Sequence, residues 1–152
     1  MKTNVYIAEI NLPSKSAYTV HVLQMCNFLA KKQKVKLLIP YINKNLEKKI
    51  KKNFGIKYDF EIVPIFKNQV NLNFFSRLNF SYRCLKILKK IKNLNIIISR
   101  SVISSLVFAV YKIKSHLEIH TELKGLTKLF FLITKFKRIT SYLKFIFIHK
   151  YL

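Results

Sequence analysis

The chain has little cysteine and no cluster of metal ligands. Cys26 and Cys84 are its only cysteines, and neither belongs to a CxxC pair or has a histidine at ligand spacing. Both fall on or beside the apolar stripe of a predicted helix. We therefore interpret them as small buried side chains of a protein kept in a reducing compartment, and we expect no disulfide and no metal site.

Long apolar runs are also missing. A membrane-spanning helix needs about 18 uninterrupted apolar residues. Val102–Tyr111 is too short, and Lys128 and Lys135 interrupt Leu126–Phe136. The first ten residues are too polar for the core of a signal peptide. We therefore expect a cytoplasmic protein that is soluble or rests on the inner face of the membrane.

Arginine is scarce although the chain is strongly basic. The formal net charge is +23, yet only Arg77, Arg83, Arg100 and Arg138 are arginines. Arginine is the residue that reads bases and grips phosphates with two hydrogen bonds, so nucleic acid is not an expected partner. Two explanations of the charge stay open: solvated lysines that reflect an AT-rich genome, and a basic surface that contacts an anionic membrane.

Glycine is absent where a dinucleotide-binding protein needs it. The first loop after a predicted strand, Asn11–Ala17, contains no glycine, which disfavours a Rossmann-type oxidoreductase. The sequence also lacks a P-loop, a GxSxG elbow and an HExxH pair. No nucleophile triad is visible, so the chemistry has to be sought elsewhere.

What the sequence does contain is an alternation of strand-like and helix-period segments. This pattern is typical of parallel βαβ units, and near-continuous apolar strands indicate a sheet covered on both faces. We predict one α/β domain over residues 1–152, a Rossmann-like doubly wound, mostly parallel sheet with helices on both faces. The predicted strands are Asn4–Ile10, Val35–Pro40, Phe60–Ile65, Asn95–Ser99, His116–His120 and a weak Arg138–Ser141. The predicted helices are Tyr18–Lys32, Lys44–Asn53, Arg77–Lys92, Val102–Ile113, Lys124–Thr134 and Tyr142–Lys150.

The helix Arg77–Lys92 has the strongest amphipathic pattern. Its apolar residues recur at helical spacing, which predicts one buried stripe. The residues of that stripe are Leu78, Tyr82, Leu85, Leu88 and Ile91.

Ligands of such sheets bind beyond the carboxyl ends of the strands, which directs attention to the loops there. Ser14, Ser16 and Ala17 stand at a helix start, where free N–H groups attract an anion or a polar ligand. The simpler interpretation is that Ser16 only caps the helix. Arg100, at the end of the fourth strand, can hold a phosphate or carboxylate, or it can form a surface ion pair.

A second candidate pair lies on the fifth strand. Strand alternation puts Glu118 and His120 on one face, where the carboxylate can orient or charge the imidazole. The alternative is a hydrogen-bonded structural pair. Lys124 follows close behind, next to Gly125, which allows a close approach near a helix start, and this lysine can meet an anion.

The stretch from Ser16 to Pro40 resembles the start of subfamily-four-like glycosyltransferases of the GT-B fold. Their loop bearing Ser or Gly is followed by an H-x-x-x-[ML]-x-x-x-L-A-K helix and a V-x-L-L-x-P strand. The matching residues are Ser16, His21, Met25, Leu29, Ala30, Lys31, Val35, Leu37, Leu38 and Pro40. Three later segments are also similar to that family: Arg100 with the helix after it, the E-x-H strand Glu118–His120, and Ile139, Thr140 and Leu143.

The resemblance implies the acceptor-side domain of a glycosyltransferase. Such enzymes transfer a sugar from a nucleotide-sugar donor to a lipid or polysaccharide precursor, and their other domain holds the donor with an E-x7-E motif. By resemblance the loop Ser14–Ala17, Arg100, Glu118 and His120 face the cleft between the domains. Our candidates are Glu118 and His120 for catalysis, and Ser14, Ser16, Ala17, Arg100 and Lys124 for acceptor binding.

The sequence ends at Leu152 without an E-x7-E motif. We therefore expect no cofactor in this chain, a donor half that is missing or supplied by a separate chain, and no sugar transfer by these residues alone. The alternative is a basic noncatalytic module that binds nucleic acid or a membrane surface.

Overall fold

A computed structural model of the chain describes residues 2–119, 132 and 141–147. The elements are, in chain order, β1 Thr3–Ile7, β2 Asn11–Leu12, α1 Ala17–Ala30, β3 Lys34–Ile39, β4 Tyr41–Ile42, a short 3-10 helix Lys44–Leu46, α2 Glu47–Asn53, β5 Glu61–Pro64, α3 Phe74–Leu88, β6 Leu94–Ser99, α4 Val102–Val110, β7 Ser115–Ile119 and β8 Leu143–Phe147. Gly55, just after α2, has φ +62°, a conformation that suits glycine at the end of a helix.

The main sheet has six strands in the order β5-β3-β1-β6-β7-β8. Every neighbouring pair in it is parallel. The chain starts at β1, builds outward through β3 to β5, and then returns to the other side of β1 with β6. This is the strand order of a doubly wound sheet, so the Rossmann-like α/β prediction is confirmed. Two-residue strands β2 and β4 form a separate parallel pair beyond the sheet, which the sequence analysis did not predict.

Helices cover both faces of the sheet, because successive strand residues point in opposite directions. On one face, Tyr6 of β1 packs with Val22 and Cys26 of α1. On the other face, Val5 and Ile7 of β1 pack against α3 and α4. The first face also receives α2, through the buried Ile50. The predicted burial of both cysteines is confirmed.

Helix α3 buries a different stripe from the one predicted. Leu85 and Leu88 are buried as expected, but Leu78 and Tyr82 are 41% and 45% exposed. The residues of α3 that complete the buried stripe are Phe80, Ser81 and Cys84. The prediction for Leu78 and Tyr82 was wrong because α3 carries two apolar stripes, and periodicity alone does not tell which one meets the sheet.

The predicted helix Tyr142–Lys150 was also wrong. Residues Leu143–Phe147 form β8, which pairs with β7 in parallel register. Five residues rich in Phe and Ile favour a strand, and a run this short does not distinguish helix from strand by its period. The predicted helix Lys124–Thr134 and strand Arg138–Ser141 lie outside the described residues, apart from the helical Leu132 and from Ser141 in a turn. Over the parts of the chain that the structure describes, no helix is long and apolar enough to cross a membrane.

Candidate functional site

The candidate site lies where the strand order reverses, at the carboxyl ends of β1 and β6. Glu9 follows the end of β1 by two residues, and Arg100 and Ser101 directly follow β6. The backbone N–H of Arg100 donates to the carbonyl of Ile7 over 3.0 Å, which fixes the two loops side by side. In doubly wound sheets this reversal point is where ligands bind.

Glu118 of β7 is the centre of a buried polar cluster. Tyr6 donates its hydroxyl to Oε2 of Glu118 over 2.6 Å, and His21 Nε2 lies 2.9 Å from Oε1. Arg100 Nε is 3.8 Å from the same Oε1. The side chain of Glu118 is only 1% exposed and that of Arg100 only 7%. Tyr6, His21, Arg100 and Glu118 are called the Glu118 cluster below.

The guanidinium of Arg100 is buried but sparsely bonded. Its Cζ atom lies 4.0 Å from the centroid of the Tyr18 ring, in the first turn of α1. None of the residues that the structure describes gives its buried Nη1 a hydrogen-bond partner. Burial raises the pKa of Tyr18 to about 12, against the opposing charge of Arg100, so the ring stays neutral. A buried cation with an unsatisfied donor is costly, and such groups often mark the place of a ligand.

Tyr6 acts in the cluster as a fixed donor. Burial raises the pKa of its hydroxyl, and the hydrogen bond to Glu118 and the charge of that residue add to the rise. The hydroxyl therefore keeps its proton at any physiological pH. Tyr6 holds Glu118 in place and does not itself accept a proton.

Glu9 provides a second carboxylate at the same edge. Ser101 donates its hydroxyl to Oε1 over 2.5 Å, and Arg77 Nε of α3 lies 3.4 Å from Oε2. Burial raises the pKa of Glu9, although the Ser101 hydrogen bond and the Arg77 charge act in the opposite direction. The side chain is still 13% exposed. Glu9 therefore combines access to solvent with an increased proton affinity, which is the property of a general base.

Some predicted site residues have structural partners. Ser16 is the N-cap of α1 and accepts a hydrogen bond from the Thr19 N–H over 3.2 Å, so the capping interpretation is confirmed. Ser14 Oγ accepts from the Ser16 N–H over 3.3 Å, and Ala17 is the exposed first residue of α1. Ser14 also lines a cavity of about 500 Å³ beside the end of α2. This loop thus borders α2 as well as the reversal point.

Of the four other predicted site residues, Arg100 and Glu118 are described by the structure, and His120 and Lys124 are not. Arg100 does form an ion pair, but the pair is buried with Glu118 and does not lie on the surface. Glu118 binds side chains from β1 and α1 and from the loop after β6. His120 and Lys124 lie outside the described residues. Their predicted roles stay predictions.

Sequence reasoning missed Glu9, Tyr6 and the place of His21 in the cluster. The predicted first strand ran to Ile10, which hid Glu9 inside it, whereas β1 ends at Ile7. A useful signal was available, because Glu9 and Glu118 are two of only six acidic residues in the chain. Buried acids in so basic a protein point to a specific arrangement.

The described part of the chain contains no group of three or more His, Cys, Asp or Glu side chains suited to hold a metal ion. Among the described residues, the site comprises the carboxylates of Glu9 and Glu118, the arginines Arg77 and Arg100, and the side chains that position them. Comparison with family models, with curated proteins and with solved structures finds no match to this chain.

Proposed function

We propose that this chain is the acceptor-binding half of a GT-B glycosyltransferase, which moves a sugar from a nucleotide-sugar donor to a lipid or polysaccharide precursor. One observation carries the proposal: His21, Arg100 and Glu118, from three separate segments of the resemblance, meet in the Glu118 cluster. These residues lie on α1, after β6 and on β7, so sequence proximity does not explain their meeting.

The chemistry of the cluster favours an acceptor with an anionic group. Arg100 has a buried Nη1 without a partner among the described residues, and it lies against the first turn of α1. A helix start and a guanidinium both attract phosphate or carboxylate oxygens. A lipid-linked sugar precursor carries a phosphate beside its sugar, which makes this class of acceptor a good fit.

Within the proposal, the two carboxylates have different roles. Glu118 is enclosed by Tyr6, His21 and Arg100, so we assign it to positioning the imidazole and the guanidinium. Glu9 keeps partial access to solvent and a raised pKa, so it joins His120 as a candidate for taking the proton from the acceptor hydroxyl.

The donor sugar has to be held by another part of the enzyme. The 152 residues hold neither an E-x7-E motif nor a glycine-rich phosphate loop. We therefore expect the chain to bind an acceptor without transferring a sugar to it.

The proposal is tested by titrating the isotope-labelled chain with a sugar phosphate and with the matching neutral methyl glycoside, followed by backbone amide NMR. The sugar phosphate should shift the signals of Tyr18, His21 and Ser101 in a saturable way, and the neutral glycoside should bind more weakly. If neither saccharide shifts any signal at this edge, the acceptor-binding proposal is wrong.

Two arginine variants sharpen the test. Arg100→Lys keeps the charge but loses the two-pronged donor geometry, so the affinity for the sugar phosphate should fall by about tenfold. Arg83→Lys is the control, because Arg83 is exposed on α3 and contacts Phe66 and Asn79. Equal losses in the two variants would show that the effect is not specific to the guanidinium of Arg100. Tight DNA or RNA binding with a steep salt dependence would favour the basic-module alternative.

A further inference from the structure

Helix α3 and the end of α4 expose an unusual number of large apolar side chains. Phe75 is 77% exposed and Val110 is 65% exposed. Tyr111, Leu78 and Tyr82 are 48%, 41% and 45% exposed. Phe75, Leu78, Tyr82 and Tyr111 line one groove of about 430 Å³. The five side chains are called the α3–α4 face below.

These exposed side chains do not belong to the hydrophobic core. The opposite side of α3 already packs against the sheet through Phe80, Cys84 and Leu85, which are all at most 1% exposed. Phe75, Leu78 and Tyr82 follow one another at helical spacing along the outer side. A contiguous exposed apolar surface of this kind marks a contact with another body.

The charges carried by the stretch that contains both helices have a single sign. Lys86 Nζ lies 4.8 Å from the centroid of the Tyr82 ring, and Lys89 Nζ lies 5.1 Å from that of Tyr111. Residues 62–117, which include both helices, contain no Asp or Glu. They do contain ten cations: Lys67, Arg77, Arg83, Lys86, Lys89, Lys90, Lys92, Arg100, Lys112 and Lys114. Of these, Arg100 is buried in the Glu118 cluster and Arg77 pairs with Glu9, which leaves eight. The partner is therefore expected to be anionic and able to take up apolar side chains.

We propose that the α3–α4 face docks on the surface of an anionic lipid bilayer. Phe, Tyr and Leu side chains enter the boundary between headgroups and acyl chains, while the lysines around them pair with lipid phosphates. A nucleic acid attracts the lysines but offers nothing for Val110 and Leu78 to enter. A second copy of the chain is disfavoured, because each copy carries a net charge of +23.

The inference goes beyond the proposed function and does not depend on it. The α3–α4 face and the candidate site nevertheless share helix α3, because Arg77 in the first turn of α3 contacts Glu9 of the site. Helix α3 therefore contacts the candidate site and also carries three of the five side chains of the face.

The test uses tryptophan as a local probe, since the chain has none of its own. Phe75→Trp should show a blue-shifted emission with vesicles of phosphatidylcholine and phosphatidylglycerol, and no shift with phosphatidylcholine alone. Phe28→Trp is the matched control, because Phe28 is 66% exposed and has Lys31 over its ring at 5.8 Å, but lies on α1. Its emission should not change with either vesicle.

Sedimentation with the same vesicles measures how much the face contributes to the affinity for the membrane. Phe75→Ser combined with Tyr111→Ser should weaken binding to the anionic vesicles by about tenfold or more, and Phe28→Ser should leave it unchanged. Lys86→Gln with Lys89→Gln should weaken binding mainly at low salt.

Several outcomes would overturn the proposal. They are failure of the wild-type chain to sediment with anionic vesicles, an equal loss in the Phe28→Ser control, and a tryptophan at position 75 that stays in water when the chain is bound. Two others would reassign the face: a dimer that Phe75→Ser dissociates, and a nucleic-acid complex that Phe75→Ser abolishes.

Discussion

The Glu118 cluster and the α3–α4 face differ in what they bury and what they expose. The cluster buries charge: Arg100 and Glu118 are almost fully enclosed, with Tyr6 and His21 bonded to the carboxylate. The α3–α4 face exposes apolar surface and surrounds it with lysines. Each departs from the usual rule that charge stays in water and apolar groups leave it.

The difference shows what each region needs from the rest of the chain. A buried charge is tolerated only with a countercharge and hydrogen bonds, so the cluster ties several elements together and its loss should harm the fold. An exposed apolar face is tolerated without any internal partner, so its loss should affect contacts with other bodies and leave folding alone. Substitutions in the cluster should therefore lower the free energy of unfolding far more than substitutions in the face.

The largest effect is expected from Glu118→Ala. The change leaves Arg100 buried without its countercharge and should lower the free energy of unfolding by roughly 3–5 kcal/mol. Urea unfolding followed by circular dichroism measures the loss. Glu61→Ala is the matched control on β5, because its ion pair with Lys36 is exposed and should contribute at most about 1 kcal/mol.

A double variant tests the reason for that loss. Glu118→Gln with Arg100→Met removes both charges, so no ion is left unpaired in the interior, and the cost should be smaller than that of Glu118→Ala alone. If the double variant is the less stable of the two, the charge pair is not the source of the effect, and packing around β7 has to be considered instead.

The next comparison uses two phenylalanines of α3. Phe80 is fully buried and Phe75 is 77% exposed. Phe80→Ala should cost about 3–5 kcal/mol of unfolding free energy, whereas Phe75→Ala should change it by no more than about 0.5 kcal/mol. Thermal and urea unfolding of the two variants give both values. A large loss in Phe75→Ala would mean that the α3–α4 face is part of the fold after all.

A smaller effect is expected from the cap of α1. Ser16→Ala removes the acceptor for the Thr19 N–H and should cost about 1 kcal/mol. Ser14→Ala is the control in the same loop, since the Ser14 hydroxyl makes only long hydrogen bonds to described residues: it accepts from the Ser16 N–H at 3.3 Å and donates to the Ser16 hydroxyl at 3.4 Å. If the two variants are equally stable, Ser16 does not contribute through its cap.

The sequence predicted the doubly wound, parallel α/β fold, but only some of the site. Near-continuous apolar runs identified β1, β3, β5, β6 and β7, because parallel strands buried on both faces leave a strong local signal. The β8 segment was predicted as a helix, since five residues, four of them apolar, carry no decisive period. The choice between the two stripes of α3 depends on packing, which is not a local property.

In the site, too, features with a local sequence signal were predicted, and features that depend on tertiary packing were not. Arg100 and Glu118 were found because each stands at or near a strand end, where ligands of such sheets bind. Their pairing with each other and with Tyr6 was not predictable, because it joins residues 112 positions apart in the chain. Glu9 was missed through an error of three residues in the end of β1, which is within the usual uncertainty of strand ends.

The smallest effect we expect is the pH dependence due to Glu9. Burial raises the pKa of this carboxyl in the folded chain, so the folded state holds the proton more tightly than the unfolded state does. Its contribution to stability is therefore complete below the unfolded pKa and is lost as pH rises through the folded pKa. Relative to Glu9→Gln, the wild-type chain should become less stable as pH rises from about 4 into that range.

Arg77 provides the control for this last measurement. Its charge lowers the pKa of Glu9, so Arg77→Gln should raise that pKa further and move the loss of stability to higher pH. Urea unfolding over a series of pH values gives the curves for wild type, Glu9→Gln and Arg77→Gln. A constant difference between wild type and Glu9→Gln at every pH would contradict the raised pKa, and with it the assignment of Glu9 as the carboxylate that accepts a proton.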